Sequence, residues 1–139
     1  MAAIRVQAPA SKSLTHRYLM GAALAAGESI VRHTLDSEDA TATRGILQTL
    51  GAEIAPVAGD ADALRVRGIG GKVQGGQGKA LAIDVGESGT TCRLMCAVLA
   101  SGEGLFGVSG RGRMHKRPVR ELCDALAKLG AGSDSEGVA

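Results

Sequence analysis

The chain has 139 residues, 45% of them hydrophobic and 22% charged, and a formal net charge of +2. This composition is typical of one globular domain and excludes a disordered chain, while the small net charge does not favour a polyanionic partner. The longest apolar stretch, residues 19–26, is too short to span a bilayer and residues 1–9 lack the apolar core of a signal peptide, so we expect a soluble cytoplasmic protein that binds no membrane.

The first half of the chain predicts strands and helices in alternation. Ser13 is the predicted N-cap of the first helix and Gly27 is the residue expected just after its end. An acidic cluster, Asp36-Ser37-Glu38-Asp39, is interpreted as capping the second helix rather than as paired catalytic acids. The predicted elements are a strand at 4–7, a helix at about 14–26, a strand at 29–35, a helix at about 40–50, and paired strands at 53–57 and 63–67.

The second half predicts a similar order after an exposed glycine-rich connector at 68–78. Pro118 is expected in the first turn of the last helix, where its missing N–H costs nothing. The predicted elements are a strand at 81–85, a helix at about 88–100, a strand at 104–109, and a helix at about 118–129. Alternating strands and helices predict an α/β protein.

The two halves are similar in sequence. The segment LMGAALAAGE, which begins at Leu19, and LMCAVLASGE, which begins at Leu94, are identical at seven of ten positions. We interpret this as one supersecondary unit used twice, with a first repeat at about 4–68, a connector at about 68–80 and an incomplete second repeat at about 81–139. Chance similarity between alanine-rich helices is the alternative. The second unit lacks the closing strand pair of the first, so we expect the chain to be cut off within a repeat.

Two predicted helix starts carry the residues of an anion-binding site. Ser11-Lys12-Ser13 and Arg17 place hydroxyls, an ammonium and a guanidinium at the first start. The segment Gly86-Glu87-Ser88-Gly89-Thr90-Thr91-Cys92-Arg93 repeats the arrangement at the second. Free backbone N–H groups and the helix dipole make such a start a seat for phosphate or carboxylate. Two such seats suggest an enzyme that acts on small anionic metabolites.

Other residue groups receive simpler interpretations. Cys92, Cys96 and Cys123 are expected to be small core residues, since their odd number and the scattered histidines favour neither disulfides nor zinc. The lack of aromatic side chains around the basic run disfavours nucleic acid as a partner. Arg93 is expected to tie its helix to a neighbouring carboxylate, and Arg117 is left undecided. The basic run consists of Arg111, Arg113, Lys116, Arg117 and Arg120.

Three groups of segments resemble signatures of the 5-enolpyruvylshikimate-3-phosphate synthase (EPSP synthase) family. They are residues 11–17 with 24–27 and 35–39, residues 86–93, and residues 110–118 with 122–131. The resemblance implies two-lobed proteins built of repeated βαβαββ units, an inside-out α/β barrel, of which this chain would be a truncated N-terminal part. It also implies transfer of the enolpyruvyl group of phosphoenolpyruvate to the 5-hydroxyl of shikimate 3-phosphate, with release of phosphate and no metal or other cofactor.

The resemblance also implies roles for individual residues. Lys12, Ser13 and Arg17 would bind shikimate 3-phosphate. Phosphoenolpyruvate would be bound by Lys12, Gly89, Thr90 and Arg113. Glu87 stands where many members of the family have Asn and is a weak candidate, because a carboxylate beside an anion is unfavourable unless it is paired or protonated. No catalytic acid or base can be assigned within the chain, so we expect the remainder of the enzyme to be needed for turnover.

Two alternatives to this function remain open at the level of the sequence. One is the related enolpyruvyl transferase that acts on UDP-N-acetylglucosamine. The Ser-Lys-Ser segment together with Arg17 disfavours this alternative. The other is a non-catalytic phosphate-binding or assembly fragment, which the missing closing strands favour. Binding of shikimate 3-phosphate rather than the UDP-sugar would separate the first alternative from the main interpretation.

Overall fold

The structure, a computed structural model, describes residues 8–133. The strand predicted at 4–7 and the last part of the predicted polar tail, 134–139, lie outside the described residues. The elements in chain order are α1 (Lys12–Leu24), β1 (Ala26–Val31), α2 (Glu38–Thr49), β2 (Glu53–Val57), β3 (Asp60–Ile69), β4 (Leu81–Asp84), α3 (Gly89–Ala100), β5 (Phe106–Ser109), a 3₁₀ helix (Gly112–Lys116) and α4 (Arg120–Ala127). No helix in this part of the chain is both long and apolar enough to cross a membrane.

The strands form two sheets. β3 lies between β1 and β2 and pairs antiparallel with both, so that Val66 is opposite Ser29 on one side and Ile54 on the other. β4 and β5 form a separate parallel pair joined through α3, with Ile83 opposite Val108. The mixture of strands and helices confirms the predicted α/β class.

One hydrophobic core connects the helices with both sheets. Leu19 of α1 and Leu47 of α2 are buried together with Val66 of β3, and the same cluster continues to Ile83 of β4 and Met95 of α3. The core is aliphatic, as the near absence of aromatic residues requires. Because the cluster is continuous, the starts of α1 and α3 are held by one packed interior rather than by two independent ones.

The predicted start and end of the first helix are wrong by about two residues. Ser11, not Ser13, is the N-cap: its backbone is extended, its Oγ accepts from the Leu14 N–H at 3.4 Å, and its carbonyl accepts from Thr15 N–H. At the other end, pairing with β3 draws Ala26 and Gly27 into β1, so Gly27 lies in the strand rather than after the helix. β1 accordingly ends at Val31, four residues before the predicted end.

The glycine-rich connector predicted to be exposed is partly buried. Val73 is buried, and Gly75 and Gly76 form backbone hydrogen bonds with the segment around Leu105. The connector also completes the end of α1, since Gly71 N–H donates to the carbonyl of Leu24, its last residue, and Gly70 N–H donates to the carbonyl of the C-cap residue Ala25. The sequence pattern showed the turns but could not show the distant segment before β5 with which the connector forms these hydrogen bonds.

The last predicted helix also begins later than expected. Pro118 lies outside α4, which starts at Arg120 with Val119 as its N-cap residue. The residues before it form the unpredicted 3₁₀ helix, in which Met114 is buried and fixes the segment to the core. A single buried residue among charged neighbours gives no helical period, which is why the pattern missed this turn.

Candidate functional site

The first candidate anion seat is the start of α1. Ser11 caps the helix through its side chain, and no acidic residue occupies the first turn. Lys12 and Ser13 are exposed there, at the positive end of the helix dipole, where the first backbone N–H groups of a helix have no partner within it. Arg17 lies one turn further along and its Nη1 donates to the Ser13 carbonyl at 2.9 Å. The three residues predicted to bind one ligand therefore lie on the same two turns.

Lys12 has an acidic partner from the next helix. Its Nζ lies 2.8 Å from Asp39 Oδ2, and Asp39 is in the first turn of α2. The acidic cluster thus has the predicted capping function only in part. Ser37 is the side-chain cap, with its Oγ accepting from Ala40 N–H at 3.2 Å, and Asp39 in addition holds the lysine. Sequence reasoning missed this pair because the two residues are far apart in the chain.

The second candidate anion seat is the start of α3. Asp84 Oδ1 accepts from Gly86 N–H at 2.8 Å, which shapes the turn that leads into the helix, and Gly86 has a φ of +58°. Ser88, where the predicted helix was expected to begin, is its N-cap, since its Oγ accepts from Thr91 N–H at 3.2 Å. Gly89 is buried and Thr90 half-buried at the first two helical positions.

Two arginines lie against this second helix start. A methyl group added at Gly89 would overlap the Arg117 guanidinium and would lie 3.3 Å from Arg93 Nη1, so glycine is needed for both cations to approach. Arg93 Nη2 donates to the Pro118 carbonyl at 3.2 Å; its partner is thus a carbonyl and not the carboxylate that we expected. Arg117, undecided from the sequence, is placed at the site by this packing.

Arg113 and Glu87 belong to the segment beside the start of α3. Arg113 is exposed on the 3₁₀ helix, and the backbone of that segment is tied to the helix start because Arg111 N–H donates to the Gly86 carbonyl at 2.8 Å. The Glu87 carboxylate lies over Gly112, where an added methyl would come within 2.5 Å of its Oε1. Glu87 therefore packs on the segment that carries Arg113.

A buried polar chain, which the sequence gave no reason to expect, connects the two helix starts. His16 Nδ1 lies 2.8 Å from Thr43 Oγ1, which lies 2.8 Å from Thr91 Oγ1. Thr91 in turn donates to Ser88 Oγ at 2.7 Å, and its hydroxyl is 3.5 Å from the Asp39 carbonyl. The residues come from α1, α2 and α3, so α2 contacts both candidate seats.

Burial shifts the pKa of His16 near the site, and a hydrogen bond between thiols shifts the pKa values of two cysteines on α3. Desolvation lowers the pKa of His16, the positive charges of Lys12 and Arg17 lower it further, and the Asp39 carboxylate partly opposes them. On α3, a hydrogen bond between the thiols raises the pKa of Cys96 and lowers that of Cys92. Cys92 is fully buried, whereas Cys96 and Cys123 are partly buried.

Within residues 8–133, no group of three or more acidic, histidine or cysteine side chains is arranged to hold a metal ion.

The comparisons with known proteins agree on one family. The model of the family described as EPSP synthase (3-phosphoshikimate 1-carboxyvinyltransferase) matches residues 3–138. A 3-phosphoshikimate 1-carboxyvinyltransferase of Ralstonia nicotianae is 41% identical over 132 residues, which are 95% of this chain and 29% of that protein. One from Gloeobacter violaceus is 42% identical over 122 residues, 86% of this chain and 27% of that protein.

The solved structures lead to the same family. An EPSP synthase of Acinetobacter baumannii superposes with a TM-score of 0.81 at 28% identity, covering 94% of this chain and 29% of that structure. The chain therefore spans about 29% of the length of the relatives that it matches. This match, over almost every residue of the chain and in both sequence and fold, shows that the chain belongs to the EPSP synthase family.

Proposed function

We propose that this chain forms the part of an EPSP synthase that binds shikimate 3-phosphate at the start of α1 and phosphoenolpyruvate at the start of α3. The observation that carries the proposal is the link between the two seats through α2. Asp39 pairs with Lys12 through its carboxylate, and its carbonyl lies 3.5 Å from Thr91 Oγ1. The first turn of α2 therefore contacts both helix starts, and this supports a role for Lys12 beside both ligands.

In the proposed reaction the 5-hydroxyl of shikimate 3-phosphate loses its proton as its oxygen adds to C2 of phosphoenolpyruvate, and C3 gains a proton. The resulting tetrahedral adduct loses a proton from C3, and its C2–O bond to phosphate breaks. Inorganic phosphate leaves, and the enolpyruvyl ether remains on the sugar-like ring. The reaction belongs to the shikimate pathway, which supplies aromatic amino acids. Two polyanions must lie side by side for this step, so dense positive charge is the main requirement on the protein.

The candidate residues meet this requirement in different ways. At the first seat Lys12 supplies a compact ammonium charge and Arg17 supplies a planar guanidinium, while Ser13 adds a hydroxyl. At the second seat Gly89 and Thr90 present the free N–H groups of the helix, and Arg113 extends from the neighbouring segment. Arg93 and Arg117, which pack against Gly89, add positive charge behind this helix start. Glu87 packs on the Arg113 segment, which supports a positioning role rather than direct contact with an anion.

Isothermal titration of the chain with each phosphate ester tests the proposal. We expect binding of shikimate 3-phosphate and of phosphoenolpyruvate, no binding of UDP-N-acetylglucosamine, and no phosphate release when both substrates are mixed with this chain alone. Lys12→Met should weaken the binding of both ligands by about tenfold or more, which is the effect of losing a charge-assisted contact. Lys72→Met, at an exposed lysine of the connector, is the control with the same change of charge. Equal affinity of the two variants would exclude Lys12 from the site.

A further inference from the structure

The polar chain between the helices is buried at every member. His16, Thr43 and Thr91 have no exposed surface and Ser88 retains 2%. Each hydrogen bond crosses between elements or fixes a helix start: His16 lies in the second turn of α1, Thr43 lies in the middle of α2, and Thr91 with Ser88 forms the first turn of α3. Apolar side chains of similar volume would fill this interior without burying polar groups. Packing alone therefore does not explain the hydroxyls.

The hydrogen bonds have one consistent direction. A threonine hydroxyl has a single proton, and Thr91 uses its proton toward Ser88 Oγ. Thr43 must therefore be the donor to Thr91, and Thr43 can only accept from His16. His16 is then the neutral tautomer with its proton on Nδ1. Its other nitrogen, Nε2, is buried without a hydrogen-bond partner, and a bare lone pair is more acceptable there than an orphaned N–H group.

From this geometry we propose that His16 and Thr43 are positioning residues, which set the spacing and orientation of the two anion seats through the directed chain from His16 to Ser88. The proposal deepens the proposed function and rests on it for the identity of the ligands. Thr91 contributes to the cap of α3 at Ser88, so a shift of Thr43 moves the N–H groups of that helix start relative to Lys12 and Ser13. A displacement of about 1 Å in such a site is enough to reduce catalysis or binding substantially.

Thr43→Val tests the chain with little change of shape, because valine replaces only the hydroxyl. It leaves His16 Nδ1 and the Thr91 hydroxyl without their shared partner. Thr43→Ser keeps the hydroxyl and is the matched control. In residual dipolar couplings measured by NMR, we expect the first turn of α3 to change its orientation relative to α1 in the valine variant and not in the serine variant. An unchanged orientation in a folded valine variant would overturn the proposal.

A second measurement needs neither a ligand nor a variant. The ring ¹⁵N shifts of His16 in the wild-type chain identify its tautomer, and we expect protonation at Nδ1 near neutral pH. A proton on Nε2 would reverse the direction of the chain and refute the proposal, even if Thr43→Val failed to fold. In titrations, the valine variant should bind shikimate 3-phosphate and phosphoenolpyruvate about tenfold more weakly, with recovery in the serine variant. Absence of binding by the wild-type chain would refute the proposed function instead, because the tautomer and the orientation are read without ligand.

Discussion

Lys12 Nζ and Asp39 Oδ2 lie 2.8 Å apart, and this ion pair joins the first turn of α1 to the first turn of α2. The side chains are 49% and 29% exposed, so the pair contributes little to stability, on the order of 0–1 kcal/mol. Its greater effect is on the proposed ligands. A carboxylate at the lysine competes with an incoming phosphate for the same ammonium group.

Asp39→Asn should therefore tighten binding of both phosphate esters. We expect a gain of up to about fivefold, equivalent to the free energy of a half-exposed ion pair. Titration calorimetry at low ionic strength measures it. Glu38→Gln makes the same change of charge in the same helical turn, at an exposed position, and controls for the general effect of removing a carboxylate. Weaker binding by Asp39→Asn would instead show that the aspartate orients Lys12 for the ligand.

Two glycines allow a matched test of the fold. Gly68 of β3 lies under the last turn of α1, where an added methyl would overlap the Ala25 carbonyl and lie 2.5 Å from the Ala22 carbonyl oxygen. Because both neighbours are backbone, Gly68→Ala should destabilise the chain by about 2–3 kcal/mol. Gly45 lies in α2 with nothing within 4 Å of an added methyl, and Gly45→Ala should stabilise it by about 0.5–1 kcal/mol.

Urea denaturation of both variants measures these free energies of unfolding. Equal stabilities for the two alanine variants would mean that β3 and α1 are not packed as closely as the structure shows.

The helix starts differ in how well the sequence predicts them. The start of α3 was predicted at about residue 88, and the structure begins this helix at Gly89 with Ser88 as its N-cap. At α1 two serines, Ser11 and Ser13, are chemically equivalent caps, so the local pattern cannot choose between them. The end of α1 depends on pairing of Ala26 with Ile69, which is a tertiary contact that overrides local helix propensity.

The part of the candidate site that the sequence could predict is the set of residues near the two helix starts. Lysine and arginine beside serine and glycine at a helix start are a chemical pattern that the sequence shows directly. Thr43 lies in the middle of α2 with no partner nearby in the chain, and its hydrogen bonds reach His16 and Thr91 on other helices. Such long-range partners follow from the packing of the helices, which no short sequence window contains.

Burial of neutral His16 makes stability depend on pH. Since its pKa is lower in the folded chain than the ordinary value of 6.5, the unfolded chain binds more protons between these two values. The contribution of His16 is thus complete above pH 6.5 and is lost as the pH falls below it, by at most about 1.4 kcal/mol per pH unit. The charged groups that influence the ring are Asp39, Lys12 and Arg17.

Urea denaturation at pH 7.5 and at pH 5.5 measures this loss. His16→Asn should show a smaller decrease in the free energy of unfolding between these values than the wild-type chain. His33→Asn is the control: His33 is exposed with a φ of +59°, a conformation that asparagine tolerates well. A pH dependence that persists in full in His16→Asn would assign the effect to other groups.

Arg113 offers the sharpest distinction between the two seats. It is exposed on the 3₁₀ helix that packs beside the start of α3, and the structure describes no hydrogen bond that commits its guanidinium to the fold. Arg113→Gln should therefore leave the free energy of unfolding within about 0.5 kcal/mol of wild type. It should weaken the binding of phosphoenolpyruvate by about 10- to 100-fold, which is the effect of losing a charge-assisted pair. The affinity for shikimate 3-phosphate should change by less than about twofold.

Arg120→Gln is the control for Arg113→Gln. Arg120 is an exposed arginine at the first position of α4, and its substitution changes the net charge by the same amount. Competition titrations with the two ligands on both variants give the four affinities needed. Selective loss of phosphoenolpyruvate in Arg113→Gln alone assigns this arginine to the second seat, since a long-range electrostatic effect would weaken both ligands in both variants. If Arg113→Gln weakened the binding of shikimate 3-phosphate to the same extent, Arg113 would contribute to both seats. The proposed division of ligands between α1 and α3 would then have to be abandoned.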